Sequence, residues 1–172
     1  MTTLVDTQIE KWAVQGGLYP FSRGQINPAS VNLRIGNEIK IDTPHGLATV
    51  SIDGCNPDNP YFVNPHDWLL THTAETVTLG NMLEAELVLR SSAARAGWNH
   101  AFSGYADPGW SGKLTLELWN VRPFHTLKLY PGLELVQLRL RRLSRAPAAD
   151  YSVTGRYQGD NTVNHCQDPT IS

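Results

Sequence analysis

The sequence predicts a mostly β fold, an antiparallel sandwich or barrel preceded by one short helix. Three observations point there. Apolar residues alternate with polar ones from Val31 onward, the period of a half-buried strand. Breakers separate the runs: Gly36-Asn37, Thr43-Pro44-His45-Gly46 and Asn56-Pro57-Asp58-Asn59-Pro60. A helical stripe is confined to the first segment. Many short strands divided by Gly/Pro turns favour an antiparallel arrangement over a parallel α/β sheet.

The helix is expected from Asp6, a good N-cap, through the stripe Ile9, Trp12 and Ala13, to a stop at Gly16-Gly17. Strands follow at Val31 to Ile35, around Ile39 and Ile41, and at Ala48 to Ile52. Others are expected at Trp68 to Thr73, Glu75 to Leu79, Leu83 to Leu89, Lys113 to Trp119, Thr126 to Tyr130 and Glu134 to Leu140. There is no internal repeat. Residues 1–154 read as a single β domain, and residues 155–172, polar and aperiodic, as a flexible C-terminal segment.

Bulk properties narrow the function. A chain of 172 residues is most simply one domain and buries about 70% of its unfolded surface. A formal charge of −2 supplies no global field for nucleic acid. At 41% hydrophobic and 17% charged residues, the chain is expected to fold rather than stay disordered. No apolar run approaches the ~20 residues of a membrane span. The N-terminus lacks the basic-then-apolar order of a secretory signal, so a cytoplasmic protein is expected. The two cysteines, Cys55 and Cys166, form no C-x-x-C, which excludes a zinc site built on paired thiolates. No two of the six histidines have a metal-pair spacing, and structural roles or exposure are expected for all.

Two stretches carry chemistry. In D-P-G-W-S-G-K-L-T-L-E-L-W-N, from Asp107 to Asn120, Leu114, Leu116 and Leu118 take one strand face. Thr115 and Glu117 therefore share the other. The residues alone leave Glu117 two readings, a solvated outer face or a site carboxylate. Asp107 in turn either caps a turn or meets a ligand. In R-S-S-A-A-R-A-G, from Arg90 to Gly97, two guanidiniums and two hydroxyls fall within six residues, a compact donor set for phosphate oxygens. Arg139, Arg141, Arg142 and Arg145 read as a solvated strand face.

These stretches, with I-N-P-A-S-V-N-L-R-I-G from Ile26, P-G-L-E-L-V-Q-L from Pro131 and G-R-Y-Q-G-D from Gly155, resemble the dCTP deaminase branch of the trimeric dUTPase-like superfamily. The resemblance covers most of the chain. It implies a distorted, jelly-roll-like antiparallel β-barrel of the dUTPase type and hydrolysis of dCTP to dUTP and ammonia. The alternatives are a bifunctional enzyme that also removes diphosphate and releases dUMP, and a non-catalytic nucleotide sensor. It further implies a homotrimer with sites at subunit interfaces, and Mg²⁺ held mainly through the substrate phosphates. Residues 1–154 then form the nucleotide-binding domain and 155–172 a closing lid.

By the same resemblance Glu117, Arg95 and Ser91 are catalytic. Nucleotide contacts fall to Arg90, Ser91, Ser92, Arg95, Ser103, Asp107, Thr115, Gln137, Tyr151, Arg156, Tyr157 and Asp160. The zinc nucleobase deaminases need H-x-E and P-C-x-x-C, absent here, so no zinc is expected. A carboxylate must then move the protons, and covering it with a base disfavours its charged form. The chain departs from the family pattern at Asn32, where an Asp is usual, at Ser103 for Ala, and at Asp160 for Gln. Arg156 replaces a Lys. Gly104-Tyr105 is nearer the Gly-aromatic pair of the bifunctional enzymes.

Overall fold

The computed structural model describes residues 2–101 and 104–171. Strand accounts for 44% of it and helix for 15%, so the class is mostly β, a curled antiparallel sheet. β1 (Thr2–Thr3) and α1 (Asp6–Trp12) lead into β2 (Leu18–Tyr19) and β3 (Ile26–Asn27). β4 (Ser30–Thr43) turns back as β5 (Gly46–Ser51), followed by β6 (Tyr61–Val63), β7 (Trp68–Thr78) and β8 (Leu83–Leu89). After α2 (Ser91–Ala96) come β9 (Trp98–His100), β10 (Tyr105–Ala106) and β11 (Ser111–Asn120). β12 (Leu127–Leu129), β13 (Glu134–Arg142) and α3 (Tyr151–Thr154) complete the order.

The main sheet runs β10-β8-β13-β4-β7-β11-β9, while β12 and β6 form a separate ribbon. β4 is the hinge of this topology. Its first half pairs with β13 through Val31 to Arg34, and its second half pairs with β7 at Ile35 and again from Ile39 to Ile41. The expected break at Gly36-Asn37 is therefore not a turn but a register shift inside one strand. Its cause is a close approach: a Cβ on Gly36 would lie 2.1 Å from the His72 ring. Glycine is required there because an imidazole occupies the space.

Other boundaries shift for similar reasons. Trp68–Thr78 is one strand rather than two, because Glu75 within it is fully buried and satisfied. Glu75 accepts from the Arg34 backbone N–H at 2.9 Å, from Arg34 Nε at 2.6 Å and from Gln25 Nε2 at 2.8 Å. In α1, Asp6 is the first helical residue and not the cap; the Gln8 side chain accepts from the Val5 N–H at 3.1 Å. Ile9 of the stripe is fully buried.

The core lies inside the curl. Leu33, Ile35, Ile39, Leu69, Leu116, Leu118, Leu138 and Leu140 have no measurable exposure, and each contributes about 1.5–3 kcal/mol by leaving water. β11 shows the expected alternation: Leu114, Leu116 and Leu118 are buried, while Lys113, Thr115 and Glu117 are half-buried on the other face.

Beyond α3 the chain returns to β11. The Gly159 N–H donates to Ser111 O at 2.8 Å, and the Lys113 N–H donates to Asp160 O at 2.7 Å. Val163 is 1% exposed. No helix among the described residues is long and apolar enough to cross a membrane.

Candidate active site

A cavity of about 400 Å³ opens between β7, β11, the turn after β10, α3 and the returning tail. β11 points Thr115 and Glu117 into it, and β7 supplies Trp68 and Leu70. The antiparallel register sets Leu70 opposite Glu117 and Trp68 opposite Trp119, so Leu70 is the cross-strand neighbour of the carboxylate. Asp107 and Trp110 come from the D-P-G-W turn, which the Trp110 N–H to Asp107 O bond closes at 3.1 Å. Tyr151 lies against Trp110 with ring centroids 5.4 Å apart, and its hydroxyl oxygen accepts from the Tyr157 N–H at 3.3 Å. Tyr157, Asp160 and the run Asn164 to Cys166 form the tail's side of the cavity.

The electrostatics are one-sided. Asp107, Glu117 and Asp160 line the cavity, and no lysine or arginine does. Glu117 keeps 24% of its side chain accessible, and its Oε2 lies 3.7 Å from His100 Nε2. That is beyond a direct hydrogen bond. Burial holds the His100 pKa below the ordinary histidine value, so a neutral imidazole stands beside the carboxylate near pH 7. A second cavity, of about 430 Å³, is lined by His100, Tyr105 and Arg141 among others. Tyr105 borders both cavities. Its hydroxyl donates to Glu84 at 2.7 Å. Burial first, then this bond and the Glu84 charge, push its pKa up to about 12.

Six residues singled out in the sequence meet in the first cavity: Asp107, Thr115, Glu117, Tyr151, Tyr157 and Asp160. The cationic set does not. Ser91, Ser92 and Arg95 are exposed on α2 and line neither cavity. Arg90 caps that helix and pairs with Glu134 at 2.9 Å. Gln137 lies on β13 with its side-chain oxygen accepting from Ser30 Oγ at 2.7 Å. Arg156 is exposed and pairs with Asp168 at 2.8 Å, holding that carboxyl below the usual carboxylate range. These donors line neither cavity of their own chain. Ser103 lies outside the described residues.

Sequence reasoning missed His100, Trp68, Leu70 and Cys166. His100 reaches Glu117 only because β9 pairs with β11, placing His100 opposite Leu118. Among the described residues, no three of His, Cys, Asp or Glu gather in a geometry that could hold a metal ion.

Comparison with known proteins puts this geometry in context. A family model described as dCTP deaminase-like matches residues 3–143. A protein of Leifsonia xyli named "dCTP deaminase, dUMP-forming" is 33% identical over 168 residues, covering 90% of this chain and 83% of the relative. One of the same name from Methanopyrus kandleri is 33% identical over 183 residues, covering 93% and 92%. Among solved structures, the 2′-deoxycytidine 5′-triphosphate deaminase of Agrobacterium tumefaciens superposes with a TM-score of 0.67 at 19% identity, a likeness of fold. The match covers 82% of this chain and about half, 48%, of that one.

Proposed function

The chain belongs to the dCTP deaminase-like family, and we propose that it converts dCTP to dUMP, ammonia and diphosphate. The observation that carries this reading is Glu117, presented by β11 into a cavity whose other β-strand wall is Trp68 and Leu70. On residues alone, dUTP stands first as the product. Relatives at 33% identity carry "dUMP-forming" in their name, and the Gly104-Tyr105 pair points the same way, so the bifunctional alternative replaces it.

Deamination adds water at C4 of cytosine and expels the amino group. Glu117 takes one proton from the water as its oxygen bonds to C4 and passes it to the ring nitrogen N3. It then takes the second from the new C4 hydroxyl and passes it to the amino nitrogen, which leaves as ammonia as the C4 carbonyl forms. An apolar wall favours this role, because desolvation disfavours the charged carboxylate. A base lying over the Thr115–Glu117 face excludes bulk water from the site. A second water then attacks the α-phosphorus and diphosphate leaves, so two waters are consumed in all.

A triphosphate brings about four negative charges into a cavity already lined by three carboxylates. At an effective dielectric of 20, two unit charges 4 Å apart repel by about 4 kcal/mol. Cations must therefore arrive from outside this set. Arg90 at the cap of α2 and Ser91, Ser92 and Arg95 on it line neither cavity of their own chain, which suits donation to a neighbour's. This supports a homotrimer with sites at subunit interfaces. Mg²⁺ would come with the triphosphate as part of the substrate, held mainly through its phosphate oxygens, and Glu117 does the proton transfer without zinc. A cytoplasmic location completes the reading.

Incubation with dCTP and Mg²⁺, with chromatographic separation of the products, tests it. Ammonia, dUMP and diphosphate in equal amounts are expected. Accumulating dUTP would restore the monofunctional reading, and unchanged dCTP would refute both.

A further inference from the structure

Arg90 stands where β8 passes into α2, and its guanidinium is tethered. Nη1 donates to Glu134 Oε2 at 2.9 Å and to the Glu134 backbone carbonyl at 3.2 Å. The same Oε2 accepts from Asn32 Nδ2 at 2.8 Å. Asn32, 5% exposed, accepts in turn from Asn27 Nδ2 at 2.8 Å, and its backbone carbonyl accepts from Gln25 Nε2 at 3.0 Å. Gln25 also donates to the fully buried Glu75. One line of polar contacts thus runs from the centre of β7, across β4, to β13, and ends on Arg90.

The polarity of that line depends on an amide at position 32. Asparagine accepts on one side and donates on the other, whereas a carboxylate there has no proton to give. An aspartate would set two carboxylates at the 2.8 Å separation that Asn32 and Glu134 now share. The departure noted at Asn32 is therefore matched to the acid at 134.

We infer that Glu134 is a positioning residue, oriented by Asn32, that aims Arg90 at the phosphates of the nucleotide. The inference rests on the nucleotide-binding role proposed for Arg90. The guanidinium has five N–H donors in a rigid fork, and Glu134 engages one nitrogen of it. With 37% of the Arg90 side chain accessible, the rest of the fork is open to a ligand. Fixing the guanidinium before binding lowers the cost of ordering it when the triphosphate arrives.

Steady-state kinetics with Mg²⁺-dCTP on Asn32→Asp, Glu134→Gln and Arg90→Ala, and on each of the first two combined with Arg90→Ala, test this, with melting curves for folding. Asn32→Asp is expected to raise KM about tenfold with kcat within about twofold, since Arg90 meets phosphate and not C4. Glu134 is half-exposed, so Glu134→Gln carries the same test if the buried aspartate prevents folding. In the Arg90→Ala background neither change should raise KM further. A loss that persists without Arg90 overturns the inference and makes the line merely structural. So does an unchanged KM in both single variants while Arg90→Ala is impaired. The underlying reading fails differently: a wild-type KM for Arg90→Ala removes that residue's ligand role and this inference with it. Absence of any dCTP turnover in the unaltered protein removes the function itself.

Discussion

Replacing Gly112 by alanine should release the tail from β11 with one methyl group. Gly112 has φ +151°, outside the range side chains readily adopt. A Cβ there would stand 2.9 Å from both the N and O of Asp160, and 3.3 Å from the Trp110 ring. Carbon contacts settle near 3.5–4.0 Å, so the tail backbone must retreat by roughly half an ångström or more. That retreat breaks the Lys113 N–H to Asp160 O bond and the Gly159 N–H to Ser111 O bond. Two backbone bonds at about 1 kcal/mol each, with about 1–2 kcal/mol of backbone strain, sum to about 3–4 kcal/mol. At 1.4 kcal/mol per decade this moves the docking equilibrium by about 10²–10³. Amide hydrogen exchange reads it directly: the Lys113 N–H should exchange about a hundredfold faster than in the parent protein. Amides in the centre of β4 should be slowed or hastened only as far as the global stability changes. A Lys113 amide as protected as in the parent would refute the argument, because the methyl would then have been absorbed without moving the tail.

Glu117→Gln should cut ammonia release at least 10²-fold while the melting temperature stays close to the parent's; a variant keeping more than about a tenth of the rate would remove Glu117 from the chemistry. Asp160→Gln takes one negative charge from the cavity wall, so titration calorimetry should find dCTP binding tighter or unchanged, and a large loss of activity would reveal a positive role for this carboxylate. Burial lowers the pKa of His72 and of His100. The unfolded chain therefore binds more protons than the folded one as pH falls through the ordinary histidine range near 6.5, and stability should decline below that pH. His72→Asn should flatten the fall in Tm between about pH 7 and 5, and an unaltered slope would show that His72 does not contribute.

How much of this could be read from sequence depended on whether the cause was local. The leucines of β11 declare their face by period two, and the buried-to-half-buried alternation follows. α2 was not expected: Ala93, Ala94 and Ala96 favour a helix and Gly97, at φ +108°, ends it, but six residues are too few to show an apolar stripe. Gly36 was misread because glycine serves both turns and close approaches, and only the His72 ring distinguishes them. The polar composition of the tail gives no sign of the backbone bonds to β11 or of the buried Val163. His100 was passed over because strand pairing, not spacing, brings it to Glu117. Arg90 and Arg95, expected to meet nucleotide at a subunit interface, line neither cavity of a single chain.

Synthesis runs from the N-terminal side to the C-terminal side, and the walls of the cavity emerge in that order. Strands β4, β7 and β11 can pair and bury their leucines while Tyr157, Asp160 and Cys166 are still being translated. The wall that these residues supply is the last part of the cavity to exist. A chain ending at residue 154 would therefore keep the leucines of the sheet buried but lack one side of the cavity, with Trp110 and Leu114 opened to water on that side. Its fold would outlast the loss, and the larger defect would surface when nucleotide arrived.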